Sequence, residues 1–225
     1  MGDMTSTNRN SLNPPDHTLS ALESRVDELR FQLVTFPPDL LAVRTGASYL
    51  ALGQNRGEFH LELMGASIIV TYPEFNAINV STNTSLPVYK HTLVLYYFLK
   101  NDGAQEAGIW VSFAELPEGM IYTSAFQGYT GDKLARTFAL DSAGFCTACK
   151  KASGVSANFG DASYRFQIFP RMNLLVVYHL GEDYFPSTCK LLFDGNAGHQ
   201  FPTEACAIIG SLLAQKILKC ADKKL

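Results

Sequence analysis

From residue 47 to residue 81 apolar side chains tend to fall on alternate positions, and the stretch is cut by Gln54-Asn55-Arg56-Gly57 and by Met64-Gly65. Alternation is the period of a strand, so Phe59, Leu61 and Leu63 face one way while His60, Glu62 and Met64 face the other. Both breaks are too short to hold the crossover that parallel neighbours need, and the strands they join must run antiparallel. The pattern predicts a meander with strands over 47–52, 58–64, 67–72 and 77–81.

Around this meander the period changes. Leu19, Leu22, Val26, Leu29 and Leu33 recur at three- and four-residue steps, with Ser20 and Glu23 at capping-box spacing, so a helix over 19–34 stops before Pro37-Pro38. A short helix over 38–44 leads into Gly46. Residues 87–99 fit either a helix, through Val88, Thr92, Leu95 and Leu99, or a buried strand over 93–98; length and the position of Pro87 favour the helix. A strand over 109–113 and a helix over 132–150 follow, then strands over 164–169, 174–180 and 188–193 form a second antiparallel set. The last helix, 202–220, has Ala205, Ile208, Ile209, Leu212, Leu213 and Ile217 as its apolar stripe. Strands, helices, strands and helix in that order predict an α+β fold. Two antiparallel β segments pack with about four to five helices in one domain, 18–221, after a polar tail, 1–17.

The 225 residues carry a net charge of -3, and their basic cluster is confined to Lys216, Lys219, Lys223 and Lys224, which argues against a nucleic-acid partner. Residues 1–15 hold no apolar signal core, and the longest apolar run, 93–99, is far too short to span a bilayer. A cytoplasmic protein with no membrane partner is expected. Five cysteines then remain thiols rather than a disulfide framework. The sequence contains no G-x-G-x-x-G, phosphate-binding loop, G-x-S-x-G elbow or H-E-x-x-H, so the common nucleotide, serine-hydrolase and zincin chemistries lose support.

Several segments, in order, resemble a prokaryotic family known as domain of unknown function 3786. They are residues 110–117 (Trp-Val-Ser-Phe-Ala-Glu-Leu-Pro), Tyr122 and Phe126, Phe169-Pro170-Arg171, residues 181–186, Leu192-Phe193-Asp194 and Pro202-Thr203-Glu204. The resemblance spans roughly residues 25–219. It implies no activity, since the family has none assigned. It does imply kinship with proteins of anaerobic bacteria and archaea, some of which carry an added cysteine-rich iron-sulfur segment like that of corrinoid iron-sulfur proteins. This chain lacks that segment. It also departs from the family pattern at one hairpin, where His179 and Glu182-Asp183-Tyr184 stand in place of a tryptophan and an Asp-x-Glu pair.

The densest polar stretch, 178–204, holds the candidate site residues. Arg171, Asp194, His199 and Glu204 are placed to converge at the start of the last helix, where an anion is favoured; an Arg171–Asp194 ion pair fixing strand ends is the structural alternative. His179, on a strand, is a candidate metal or tetrapyrrole ligand, against a plain core or surface histidine. Cys146 and Cys149 have C-x-x-C spacing, but no second pair completes a zinc or cluster site. Ten tyrosines, fifteen phenylalanines and Trp110 can line an apolar pocket, though a core uses the same residues.

Three functions follow as expectations. The first is an accessory ligand-binding domain of anaerobic metabolism, holding a corrinoid, haem or other tetrapyrrole with His179 or His199 as axial ligand. The second is an enzyme using Asp194, His199 and Glu204 as acid and base on a small molecule. The third is a homodimeric interaction module zipped through helix 19–34.

Overall fold

The structure, a computed structural model, describes residues 16–182 and 184–221. Helix α1 (Asp16–Leu33) and helix α2 (Pro38–Thr45) lead into strands β1 (Ser48–Gly53), β2 (Arg56–Leu63), β3 (Ala66–Tyr72), β4 (Ala77–Asn79) and β5 (Thr84–Ser85). These strands form one antiparallel sheet in sequence order. The expected meander is therefore present, with a fifth strand too short to carry a period. Helix α3 (Val88–Lys100) settles the ambiguous segment as helical. Helix α1 begins at Asp16, inside the stretch read as a tail, and residues 1–15 lie outside the described residues. Ser20 thus sits within the helix rather than at its cap, because extending a helix by a turn is easier than starting one.

Strand β6 (Trp110–Ser112) and a 3₁₀ turn (Phe113–Glu115) precede helices α4 (Gly119–Tyr129), α5 (Gly131–Phe138) and α6 (Ser142–Lys151). Strands β7 (Val155–Ala157), β8 (Ala162–Phe169), β9 (Met172–His179) and β10 (Thr188–Asp194) complete the second sheet, ordered β6-β10-β9-β8-β7 and antiparallel throughout. Helix α7 (Ala197–Gln200) and helix α8 (Thr203–Cys220) close the fold. Helices are more finely divided here than expected. The predicted helix over 132–150 is broken because Ala139 takes a positive φ of 47° and Asp141 caps a new helix, its carboxylate accepting the Gly144 N–H at 2.7 Å. Helix α4 was not expected at all.

The seam of α1 does not wait for a partner: Val26, Leu29 and Leu33 are buried, and α1 packs on α3. The first sheet presents Phe59 to Phe98 of α3 at 4.9 Å between ring centroids. Tyr97, on the same helix, packs with Phe169 at 4.3 Å and Phe201 at 5.7 Å, and those two rings lie 5.4 Å apart, a triad that ties α3 to the second sheet and to the start of α8. A third aromatic group, Phe113, Phe126 and Phe193, fixes the 3₁₀ turn and α4 on β10. Alongside, a side chain on Gly131 would run into the carbonyl of Cys189, so glycine is what lets α5 start flush against β10.

Burial pushes the Cys149, Cys189 and Cys206 thiols and the Tyr97 phenol upward, Cys206 to about 12. Unfolded thiols and phenols release their protons near 9.0 and 10.0. In that range the native state holds more protons than the unfolded state, so stability falls as pH rises. We predict an unfolding free energy, read from urea melts, that declines above about pH 9 by about 1.4 kcal/mol per pH unit for each such thiol, with the phenol joining above about pH 10; a free energy flat to about pH 11 would contradict it.

Candidate functional site

Arg171 occupies the turn between β8 and β9, and its guanidinium donates to Gly103 O at 3.0 Å and Val43 O at 2.8 Å. Asp194, at the end of β10 and only 2% exposed, accepts the N–H groups of Ala107 at 2.8 Å, Gly108 at 3.1 Å and Asn196 at 3.1 Å. The expected Arg171–Asp194 ion pair is absent. Each charge is taken instead by main-chain groups, some of them in the 101–109 connection (Gly103 O, Ala107 N–H and Gly108 N–H) and the others in α2 (Val43 O) and after β10 (Asn196 N–H). Asn196 links the two, donating to Gln105 O at 3.0 Å and to Arg171 O at 2.9 Å.

His199 and Glu204 do not join that knot. His199 is exposed on α7, its Nδ1 2.8 Å from Asp102 Oδ2, and this hydrogen bond is the main cause that lowers the pKa of Asp102. Glu204, in the first turn of α8, lines a concavity of about 330 Å³ with Glu118, Tyr122 and Tyr129. The three proposed acid-base groups, Asp194, His199 and Glu204, therefore face different surroundings. His179 is exposed at the end of β9, 3.9 Å from Asp161. Trp110 lies half-buried on β6, opposite Asp194 across the ladder. Neither histidine lines any of the concavities described here.

On α6, Cys149 points into the core while Cys146 is half-buried. Among the described residues no three His, Cys, Asp or Glu side chains gather closely enough to hold a metal ion. Nor is any described helix long and apolar enough to cross a membrane.

A concavity of about 680 Å³ runs between α4, α5 and β10. Phe113, Phe126, Leu191 and Leu192 give it an apolar floor, with Arg136 and Lys190 among its lining. Gln127 braces one wall, its Nε2 donating to Asp132 Oδ1 at 2.7 Å and to Cys189 O at 2.9 Å. The groove continues into a second concavity of about 430 Å³ that shares Arg136, Pro186 and Ser187 and is edged by the exposed Tyr184 and Phe185. Arg136 donates to Gly128 O at 3.3 Å, and Lys190 has no ion pair or hydrogen bond from its side chain among the described residues. The Ser112–Glu115 capping box, in which Ser112 N–H and O–H both donate to Glu115 at 2.7 Å, sets the turn that delivers Phe113.

Sequence reasoning did not single out Arg136, Lys190 or Gln127. The available signal was indirect: Phe113, Phe126, Pro186 and Leu192 all belong to the segments quoted for the family resemblance, and they meet in this groove.

Fold and groove together define an α+β domain of two open antiparallel sheets with a ligand-sized cleft beside its central helices. The chain belongs to the family described as domain of unknown function (DUF3786), which it matches over residues 38–216. No curated protein and no solved structure matches it.

Thiolate formation and access decide how fast a cysteine reacts. With a disulfide reagent under native conditions, Cys146 and Cys220 should be modified first, and Cys149, Cys189 and Cys206 only as the protein opens. Fast labelling of Cys149, read by peptide mass, would contradict the packing of α6.

Proposed function

We propose that this chain is a non-catalytic ligand-binding domain whose groove beside α5 takes a largely apolar small molecule carrying carboxylates. The observation that carries the reading is the groove itself. A volume of about 680 Å³ lies within the usual range for small-molecule sites, the floor is aromatic and aliphatic, and Arg136 of α5 and Lys190 of β10 both belong to the lining. A flat, hydrophobic carboxylate such as haem satisfies all three features, and tetrapyrroles are the class to test first; a corrinoid such as cobalamin offers amides and one phosphodiester in place of carboxylates. Because neither His179 nor His199 lines the groove, such a ligand is held by apolar contact and charge rather than by an axial histidine bond. Service as an accessory protein of anaerobic metabolism in the cytoplasm belongs to the same proposal; all five cysteines are free thiols, in keeping with a reducing compartment.

The test is a visible absorption titration of anaerobically prepared protein with haem and with cobalamin. A saturable spectral shift is expected, weakened about fivefold by Arg136→Gln and again by Lys190→Gln, since a partly exposed charge contact contributes about 1 kcal/mol. His179→Ala and His199→Ala should leave the shift unchanged. No shift with either chromophore removes the tetrapyrrole class, and a shift abolished by His179→Ala would overturn the assignment to this groove.

A further inference from the structure

The two sheets touch where the β2–β3 turn reaches β8, the Met64 N–H donating to Ile168 O at 2.8 Å. Beside that contact lies a cavity of about 180 Å³, walled by the turn, by Arg165 and Gln167 of β8, by Ser153 just after α6 and by Lys216 of α8. It shares no residue with the groove beside α5.

Lys216 is half-buried there, and its ammonium donates to Met64 O at 2.7 Å. That carbonyl meets one of three donor positions and none of the charge. No carboxylate among the described residues pairs with it, while the like charge of Lys90 acts on it. Burial is the main cause that lowers its pKa, with Cys220 opposing that shift and Lys90 adding a little to it. Ser153 Oγ and Lys216 Nζ stand 3.8 and 3.9 Å from the point where a Cβ on Gly65 would lie, so hydroxyl and ammonium flank one open spot. Arg165 adds a second cation, only loosely engaged by Glu106 at 3.5 Å, and Glu62 is the single acid in the lining. A partly desolvated lysine without a paired carboxylate, in a cavity whose lining adds a serine hydroxyl, a glutamine amide and a second cation against one acid, Glu62, favours an anion.

We propose that this cavity is an anion site at the seam between the sheets, taking a small oxyanion of phosphate size on Lys216, Ser153 and Arg165. An occupant there touches the first sheet at the Met64-Gly65 turn and the second at β8 and α8. Binding therefore stabilises the junction.

Calorimetric titration of the full chain with inorganic phosphate at pH 7 and low ionic strength tests this, with sodium chloride of equal ionic strength as the control. Phosphate should bind saturably and raise the melting temperature, whereas chloride should do neither. Lys216→Met keeps the aliphatic stem and should weaken binding at least about tenfold; Arg165→Gln should weaken it about threefold, and Glu62→Gln should tighten it about threefold. Phosphate acting no better than chloride, or equal affinity in Lys216→Met, overturns the proposal. Should Lys216→Met fail to fold, opposite shifts in Arg165→Gln and Glu62→Gln still support the site, and shifts in the same direction or none overturn it.

Discussion

A buried main-chain polar group without a partner is as costly as a lost hydrogen bond, and the 101–109 connection between α3 and β6 meets that demand through borrowed side chains. Asp194 takes two of the connection's N–H groups and that of Asn196 after β10, Arg171 caps one of the connection's carbonyls and Asn196 another. Tyr97 fastens the same knot from beneath, its hydroxyl donating to Thr45 O at 2.7 Å and accepting the Arg171 N–H at 3.1 Å. Because the connection is pinned, β6 arrives in register beside β10, with Trp110 opposite Asp194. Phe113 then follows directly onto Phe126 and Phe193, and α4 and α5 are laid along the sheet. The groove is a consequence of that sequence of placements.

A buried carboxylate and an arginine near a helix start thus form the frame that positions a cleft some distance off. Three charge-assisted bonds to one carboxylate are worth more than a lone ion pair, since each satisfies a donor that has no alternative. His199 and Asp102 add an exposed contact across the same connection, of the kind that contributes little in water. Arg136 and Lys190 beside α5 and Lys216 at the seam lie outside that frame.

Helices α1 and α8 and the meander were legible because each repeats one period over several turns or strands, and a single misplaced residue does not hide it, whereas α3 was separated from a buried strand by its length and by Pro87. The break between α5 and α6 was not, although Asp141 three residues before Gly144 is an N-cap signal that the surrounding apolar spacing masks. Candidate site residues were read from their closeness in sequence, which correctly placed Arg171 and Asp194 at the same end of the second sheet. Their partners, however, are backbone groups, and no side-chain pattern records which carbonyl an arginine will reach. Arg136 and Lys190 are more than fifty residues apart and meet only because Gly131 lets α5 lie flush on β10.

Amide hydrogen exchange of Asp194→Ala compared with the natural chain tests the clamp most directly. If the carboxylate pins the 101–109 connection, Ala107, Gly108 and Asn196 should lose protection by about tenfold or more, with loss spreading into β6, while the amides between β8 and β9 keep theirs. Unchanged exchange at Ala107 and Gly108 would mean that the connection is held without Asp194, and the account of how the groove is positioned would fail.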